Sequence, residues 1–146
     1  MQTVYVLNGP NLNLLGVREP EIYGRASLAD IDALCQNLAQ QFGWELRFLQ
    51  SNYEGALVEW VHEARAAGAA VIMNPAGCSF YSIPLLDALS TLETPYIEVH
   101  LSNIHARDAD HRHSILSKKA RGVICGFGAH GYELALQALQ RLLNAQ

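Results

Sequence analysis

The chain has 146 residues, of which 50% are hydrophobic and 16% charged, and its formal net charge is −4. This composition predicts one globular domain spanning residues 1–146 with a sizeable core, and it excludes a disordered chain. The negative charge argues against a general nucleic-acid-binding protein. No apolar run is long enough to span a membrane, and the N-terminus shows no signal peptide. Three cysteines without paired spacing predict free thiols, so the expected location is cytoplasmic.

Strand and helix patterns alternate along the whole chain. The predicted strands lie at about 3–7, 44–49, 70–73, 96–99 and 122–125. The predicted helices run from Ser27 to Gly43, over about 57–68, from Ser82 to about Leu92, and over 132–143. Residues 70–73 are wholly apolar, which is typical of a central strand covered on both faces. Short connections between these elements predict an α/β fold with a flavodoxin-like, doubly wound, five-stranded parallel sheet.

Polar residues follow the ends of three predicted strands, which is the edge where open parallel sheets bind ligands. They are Asn11, Arg18 and Tyr23 after the first strand, Asn74 after the third, and His100, Leu101 and Ser102 after the fourth. A guanidinium near a phenol favours the phenolate, and a phenolate can take a proton from carbon. With an imidazole as acid and amides as donors, this set suits proton abstraction beside a carbonyl group.

Each of these residues also has an ordinary structural interpretation. Arg18 and Tyr23 are consistent with a surface turn in which the arginine is solvated. Asn74 precedes a proline and suits a turn, and a histidine after an apolar strand, such as His100, is commonly structural. Asp87 is typical of an exposed helix face. Residue types alone therefore do not decide between a catalytic site and a set of structural residues.

Two further patterns suggest cofactors, and neither is strong. The histidines at 105, 111 and 113 have no cysteine partner and no unbroken helical pair spacing, so no metal site is predicted. The turn Gly126-Phe-Gly-Ala-His-Gly131 has the spacing of a dinucleotide loop, but it follows the last strand and not the first. The first strand is followed by neither the acidic cluster of a phosphoryl receiver nor the phosphate loop of a flavin protein. No cofactor is expected.

A longer stretch narrows the alternatives. Leu7-Asn-Gly-Pro-Asn-Leu-Asn-Leu-Leu-Gly16, followed by Arg18-Glu-Pro-Glu-Ile-Tyr-Gly24, resembles the opening of the type II 3-dehydroquinate dehydratases. Further segments in the family's order are Phe48-Leu-Gln-Ser-Asn52, Asn74-Pro75, Asp87-Ala-Leu89, Ile97-Glu-Val-His-Leu-Ser-Asn103, His105-Ala-Arg107 and Gly131-Tyr-Glu-Leu-Ala135. The resemblance covers essentially the whole chain. It implies the loss of water from 3-dehydroquinate to give 3-dehydroshikimate through an enolate, without cofactor or metal, in aromatic amino acid biosynthesis or quinate catabolism.

The resemblance also implies a role for each candidate residue. Tyr23 would be the base, Arg18 would favour its phenolate, Asn11 would hold the enolate through a water, and His100 would protonate the departing hydroxyl. The residues implied in holding the substrate are Asn74, Leu101, Ser102 and Asp87. Asp87 would reach the site of a neighbouring subunit, because the family typically assembles as a dodecamer, a tetramer of trimers.

Two positions depart from the family pattern. Phe80 stands where the family usually has a substrate-contacting histidine, and His111 stands where it has an arginine, with Arg112 as the candidate to replace that arginine. A phenyl ring cannot form the hydrogen bond, and an unpaired polar group in a site costs about 1–3 kcal/mol. Imidazole does not match a bidentate guanidinium. Two alternatives therefore stay open: a relative that uses the same Tyr/Arg/His chemistry on another small cyclic carboxylate, or a poorly active relative.

Overall fold

The computed structural model describes residues 1–145. Within these residues the strands are β1 (Thr3–Asn8), β2 (Glu45–Gln50), β3 (Ala70–Asn74), β4 (Tyr96–His100) and β5 (Gly122–Cys125). The five strands are parallel and form one sheet in the order β2-β1-β3-β4-β5. The strand order confirms the predicted flavodoxin-like sheet.

Residues 1–145 also form five α-helices, of which the four longer ones cover the two faces of this sheet. The five are α1 (Pro20–Tyr23), α2 (Leu28–Phe42), α3 (Glu54–Ala67), α4 (Ile83–Leu89) and α5 (His130–Asn144). The sequence did not predict α1, because four residues carry no periodicity. Helix α4 ends at Leu89, before the expected end near Leu92. The hydroxyls of Ser90 and Thr91 donate to the carbonyls of Leu86 and Ala88 there, in competition with further helical bonding.

Local sequence sets the ends of α2 as predicted. The Ser27 hydroxyl accepts a hydrogen bond from the backbone N–H of Asp30 at 3.1 Å, and the Asp30 carboxylate accepts one from the backbone N–H of Ser27 at 3.0 Å. Such a reciprocal cap is worth about 1 kcal/mol. Gly43 then ends the helix with a φ of 74°, a left-handed conformation that favours glycine.

The core lies on both faces of the sheet. Val6 and Ile72 point to the face covered by α2 and α5, whereas Leu7 and Met73 point to the face covered by α3 and α4. All five residues of β3 are buried, because this strand lies at the centre of the sheet with helices on both sides. None of the helices within residues 1–145 is long and apolar enough to cross a membrane.

The sheet also determines where polar side chains meet. Asn8 at the end of β1 is in register with Asn74 at the end of β3, and β4 ends beside them at His100. The loops that leave these three strands therefore start at one edge, at the same level.

Candidate active site

A pocket opens at the carboxyl edge of the sheet, above β1, β3 and β4. Seven of the nine predicted site residues line it: Asn11, Arg18, Tyr23, Asn74, His100, Leu101 and Ser102. The same pocket is lined by Phe80, Arg107 and His111. Asp87 and Arg112 lie outside it.

Tyr23 lies beside two arginines. It is the last residue of α1, which begins at Pro20, and its backbone N–H donates to the Glu19 carbonyl at 3.1 Å. The guanidinium carbon of Arg18 lies 5.0 Å from the centre of the Tyr23 ring, and that of Arg107 lies 5.3 Å away. Both distances are within the range of cation–π contacts between a guanidinium and an aromatic ring. Arg107 belongs to the motif His105-Ala-Arg107, but the sequence does not predict its contact with Tyr23.

His100 is held by the carboxylate of Glu98, a residue that the sequence does not single out. Its Nε2 lies 2.5 Å from Oε2 of Glu98, and both side chains are almost completely buried. The hydroxyl of Tyr96 donates to Glu98 Oε1 at 3.0 Å, and that of Ser117 lies 3.1 Å from both carboxylate oxygens. This arrangement leaves Nδ1 as the ring nitrogen of His100 available to a ligand. The signal in the sequence is the spacing 96, 98, 100, because alternate residues of a strand share a face.

The ionisation states of this buried group are set by competing effects. Burial raises the pKa of the Glu98 carboxyl, but the hydrogen bond and charge of His100 and the Tyr96 hydroxyl outweigh it, so the pKa lies below its ordinary value. Burial, and then the charge of Glu98, raise the pKa of the Tyr96 phenol well above its ordinary value. Glu98 is therefore an ionised acceptor and Tyr96 a protonated donor at neutral pH.

Asn74 lies at the floor of the pocket and is only 3% exposed. Its Oδ1 accepts from the backbone N–H of Ala76 at 3.1 Å, and its Nδ2 donates to the Tyr132 hydroxyl at 3.2 Å. The backbone beside it is close-packed, since the N–H of Gly9 donates to the Asn74 carbonyl at 2.9 Å. A Cβ on Gly9 would lie 2.4 Å from the Pro75 carbonyl oxygen, so only glycine fits there.

The loops on either side are fixed by backbone contacts. Asn11 has a φ of 71°, and its backbone N–H donates to Asn52 Oδ1 at 2.9 Å. On the other side, the glycine turn after β5 donates to the carbonyls of His100 and Leu101 from the backbone N–H groups of Gly126 and Gly128. This turn therefore supports the loop that carries His100, Leu101 and Ser102.

Arg112 is placed differently from the expectation. Its side chain is exposed, and Nε and Nη2 donate to the backbone carbonyl of Arg107 at 3.1 and 2.7 Å. The guanidinium thus holds the backbone that carries Arg107 and lines no part of the pocket. Asp87 is exposed on α4, away from the pocket of its own chain.

Phe80 and His111, the two departures from the family pattern, both line the pocket. His111 is anchored from behind, because its Nδ1 lies 2.8 Å from Oδ1 of Asp108. The hydrogen bond to His111 is the largest influence on the Asp108 carboxyl and lowers its pKa. Among residues 1–145, no group of three or more His, Cys, Asp or Glu side chains is arranged to hold a metal ion, and all three cysteines are free.

Comparisons with known proteins point the same way as this geometry. The family model described as dehydroquinase class II matches residues 2–140. The 3-dehydroquinate dehydratase of Caulobacter vibrioides is 51% identical over 145 residues, covering 99% of each chain. That of Cereibacter sphaeroides is 50% identical over 137 residues, covering 94% of this chain and 93% of the relative. A crystal structure of type II dehydroquinase from Propionibacterium acnes matches with a TM-score of 0.93 and 41% identity over 97% of each chain.

Proposed function

Because the chain belongs to the dehydroquinase class II family, we propose that it is a 3-dehydroquinate dehydratase, a hydro-lyase that removes water from 3-dehydroquinate to give 3-dehydroshikimate. The observation that carries the assignment is one pocket that joins Tyr23, flanked by two guanidiniums, to His100, held by an ionised carboxylate. The first is suited to act as a base and the second as an acid.

The first step is removal of a proton from the carbon beside the ketone. The phenolate oxygen of Tyr23 takes the proton, and the electrons of the C–H bond form an enolate. Arg18 and Arg107 stabilise the phenolate before this transfer. Asn11, acting through a water, donates to the enolate oxygen, where negative charge develops.

The second step is loss of the hydroxyl group. Protonated His100 donates from Nδ1 to the departing oxygen, the carbon–oxygen bond breaks, and the enolate electrons form the conjugated carbon–carbon double bond. Glu98 compensates the charge of the imidazolium from the other side of the ring. Water leaves, and transfer of the Tyr23 proton to solvent and of a solvent proton to His100 restores the starting state.

We propose that Asn74, Leu101 and Ser102 hold the substrate's carboxylate and hydroxyl groups. The support is their place on the pocket wall, with Asn74 offering an amide and the 101–102 loop offering backbone N–H groups and a hydroxyl. No cofactor is needed for these steps, because proton transfers alone carry the reaction.

One observation favours a second candidate. Phe80 adds an apolar ring to a pocket that Leu12 and Ile104 also line. A relative with the same proton-transfer residues would then act on a cyclic carboxylate with fewer hydroxyl groups. We rank this second, because the acid, the base and the amide are all present for 3-dehydroquinate.

We also propose a homododecamer, a tetramer of trimers, in which Asp87 reaches the pocket of a neighbouring subunit. Asp87 is exposed, and Tyr81 and Ile83 beside it on the same segment are 64% and 55% exposed, which suits a covered surface. Light scattering coupled to gel filtration tests this: a mass near twelve chains supports it, and a monomer contradicts it. The three free thiols support a cytoplasmic location, and the product connects the enzyme to the shikimate pathway.

The test of the activity is direct. Purified protein is mixed with 3-dehydroquinate, and the ultraviolet absorbance of the conjugated enone is followed. We expect turnover on the order of 1–1,000 per second, the usual range for enzymes. If no enone forms at millimolar substrate, the assignment fails, and the same assay with less hydroxylated cyclic ketoacids becomes the test of the second candidate.

A further inference from the structure

A chain of buried hydrogen bonds runs beneath the pocket and ends at Asn74. The Asn8 Nδ2 donates to the Leu49 carbonyl at 3.0 Å. The Tyr132 hydroxyl donates to Asn8 Oδ1 at 2.7 Å and accepts from Asn74 Nδ2 at 3.2 Å. Asn8 and Tyr132 are completely buried. Asn8 is in β1 and Tyr132 in α5, and their hydrogen bonds connect these elements to Leu49 in β2 and Asn74 in β3.

The direction of every bond in this chain follows from its first member. A backbone carbonyl only accepts, so the Leu49 carbonyl requires Asn8 to present its nitrogen there and its oxygen to Tyr132. The single proton of the Tyr132 hydroxyl is therefore directed to Asn8, and the phenol oxygen can only accept from its other neighbour. That neighbour, Asn74, must present Nδ2 to it.

The other end of the Asn74 amide gives the same answer. A backbone N–H only donates, and that of Ala76 is bound to Asn74 Oδ1. A rotated amide would set Nδ2 against the Ala76 N–H and Oδ1 against a phenol oxygen whose proton is already used. Both hydrogen bonds would be lost together. The amide therefore has one orientation, in which the second N–H of Nδ2 is the donor left for a ligand.

We propose that Tyr132 is a positioning residue that fixes the orientation of the Asn74 amide, so that Asn74 serves the pocket as a hydrogen-bond donor. This inference rests on the proposed function for the identity of the ligand, but not for the geometry. Burial of the phenol supports it, since burial raises the pKa of Tyr132 and favours the protonated hydroxyl that this hydrogen-bond chain requires. The ring of Tyr132 lies in the core near Phe48, away from direct contact with a ligand.

The test compares Tyr132→Phe with Tyr5→Phe. Tyr5 is also a buried tyrosine of the sheet region, but its hydroxyl is bound to Arg47. We expect the KM for 3-dehydroquinate to rise roughly 10-fold in Tyr132→Phe with kcat within about 3-fold of wild type, because a binding contact is lost in ground and transition states alike. Tyr5→Phe is expected to leave both constants unchanged.

A second variant separates positioning from a general loss of packing. Asn8→Leu preserves the side-chain shape but removes the acceptor, so the Tyr132 proton is free to turn toward Asn74 Nδ2 and disrupt the hydrogen bond that holds it. Asn8→Leu should therefore raise KM as Tyr132→Phe does, although Asn8 is not in the pocket wall. An unchanged KM in both variants overturns the inference.

A crystal structure of Tyr132→Phe makes the test independent of the reaction. The inference predicts that the Asn74 amide turns out of its present plane or becomes mobile in that variant, because Nδ2 has lost its acceptor while only the Ala76 N–H still holds Oδ1. A single unchanged Asn74 overturns it. If wild type forms no enone, the proposed function fails. The position of the Asn74 amide in the Tyr132→Phe structure still decides the inference in that case.

Discussion

The rings of Phe80 and His111 meet edge to face on the pocket wall, with their centroids 5.5 Å apart at an interplanar angle of 74°. The two residues are 31 positions apart in the sequence, at the two places where the chain departs from its family. The ring contact joins the two residues, and the hydrogen bond to Asp108 holds His111 in place for it. If either residue is replaced, the other loses this ring contact.

Phe80 and His111 should therefore act together in substrate binding. We expect the effects of Phe80→Ala and His111→Ala on kcat/KM to be non-additive by about 0.5–1.5 kcal/mol, the usual coupling of an aromatic pair. The measurement is a double-mutant cycle with 3-dehydroquinate. Glu45→Gln, at the opposite edge of the sheet, combined with Phe80→Ala, is the control and should be additive. Additive effects for Phe80 and His111 would show that the ring contact has no role in binding.

Phe80→His tests whether the substrate presents a polar group to the pocket wall at Phe80. If the substrate presents a hydroxyl to this wall, a side chain that can bind it should raise kcat/KM by roughly 5- to 150-fold, the equivalent of the 1–3 kcal/mol for an unpaired polar group. Steady-state kinetics with 3-dehydroquinate measure this. A lower kcat/KM in Phe80→His would favour the second candidate function, with a less polar substrate at this wall.

Arg107 should contribute to catalysis through the positive charge of its side chain beside Tyr23. Arg107→Gln removes one of the two charges beside Tyr23, and we expect kcat to fall on the order of 100-fold, as when one stabilising donor is removed from a site. Arg65→Gln is the matched control, because Arg65 is an exposed arginine whose Nε donates to the Thr91 carbonyl outside the pocket. Equal kcat values for the two variants would contradict the role of Arg107.

The lowered pKa of Glu98 makes a prediction for stability. The folded protein binds fewer protons at this carboxyl than the unfolded chain does, so its contribution is fully present above the unfolded pKa of about 4.3. That contribution is lost as the pH falls through the lower folded pKa. We expect urea denaturation of Glu98→Gln to show a flatter loss of unfolding free energy below about pH 5 than wild type.

Glu45→Gln is the control for this prediction, since Glu45 is an exposed carboxyl at the start of β2. Its profile should run parallel to that of wild type. Parallel profiles for wild type and Glu98→Gln would show that the network around His100 does not couple protonation to folding.

The sequence predicts those features that a few neighbouring residues determine. Ser27 and Gly43 set the ends of α2 through their own side-chain and backbone chemistry. The apolar run of β3 follows from its central place in the sheet, and the polar residues after three strands meet because parallel strands share an edge. These features need no knowledge of distant packing.

The features that the sequence did not predict depend on contacts between distant segments. Arg107 reaches Tyr23 across 84 positions, and which of the two arginines at 107 and 112 lines the pocket depends on a loop built from short 3₁₀ turns. The Glu98–His100 pair is local, and the sequence allows its prediction because alternate residues of a strand share a face. The proposed reach of Asp87 into a neighbouring pocket depends on contacts between subunits, which no pattern within one chain specifies.

The most direct test of the account is the turnover of Tyr23→Phe. The variant keeps the ring beside Arg18 and Arg107 but lacks the oxygen that takes the proton. We predict that enone formation from 3-dehydroquinate falls by about 10²- to 10⁴-fold, the usual contribution of a general base, while Tyr5→Phe keeps wild-type turnover. Binding of 3-dehydroshikimate, measured by calorimetry, should stay within about 3-fold of wild type. Turnover by Tyr23→Phe close to that of wild type would contradict the assignment of the base and, with it, the central claim about this pocket.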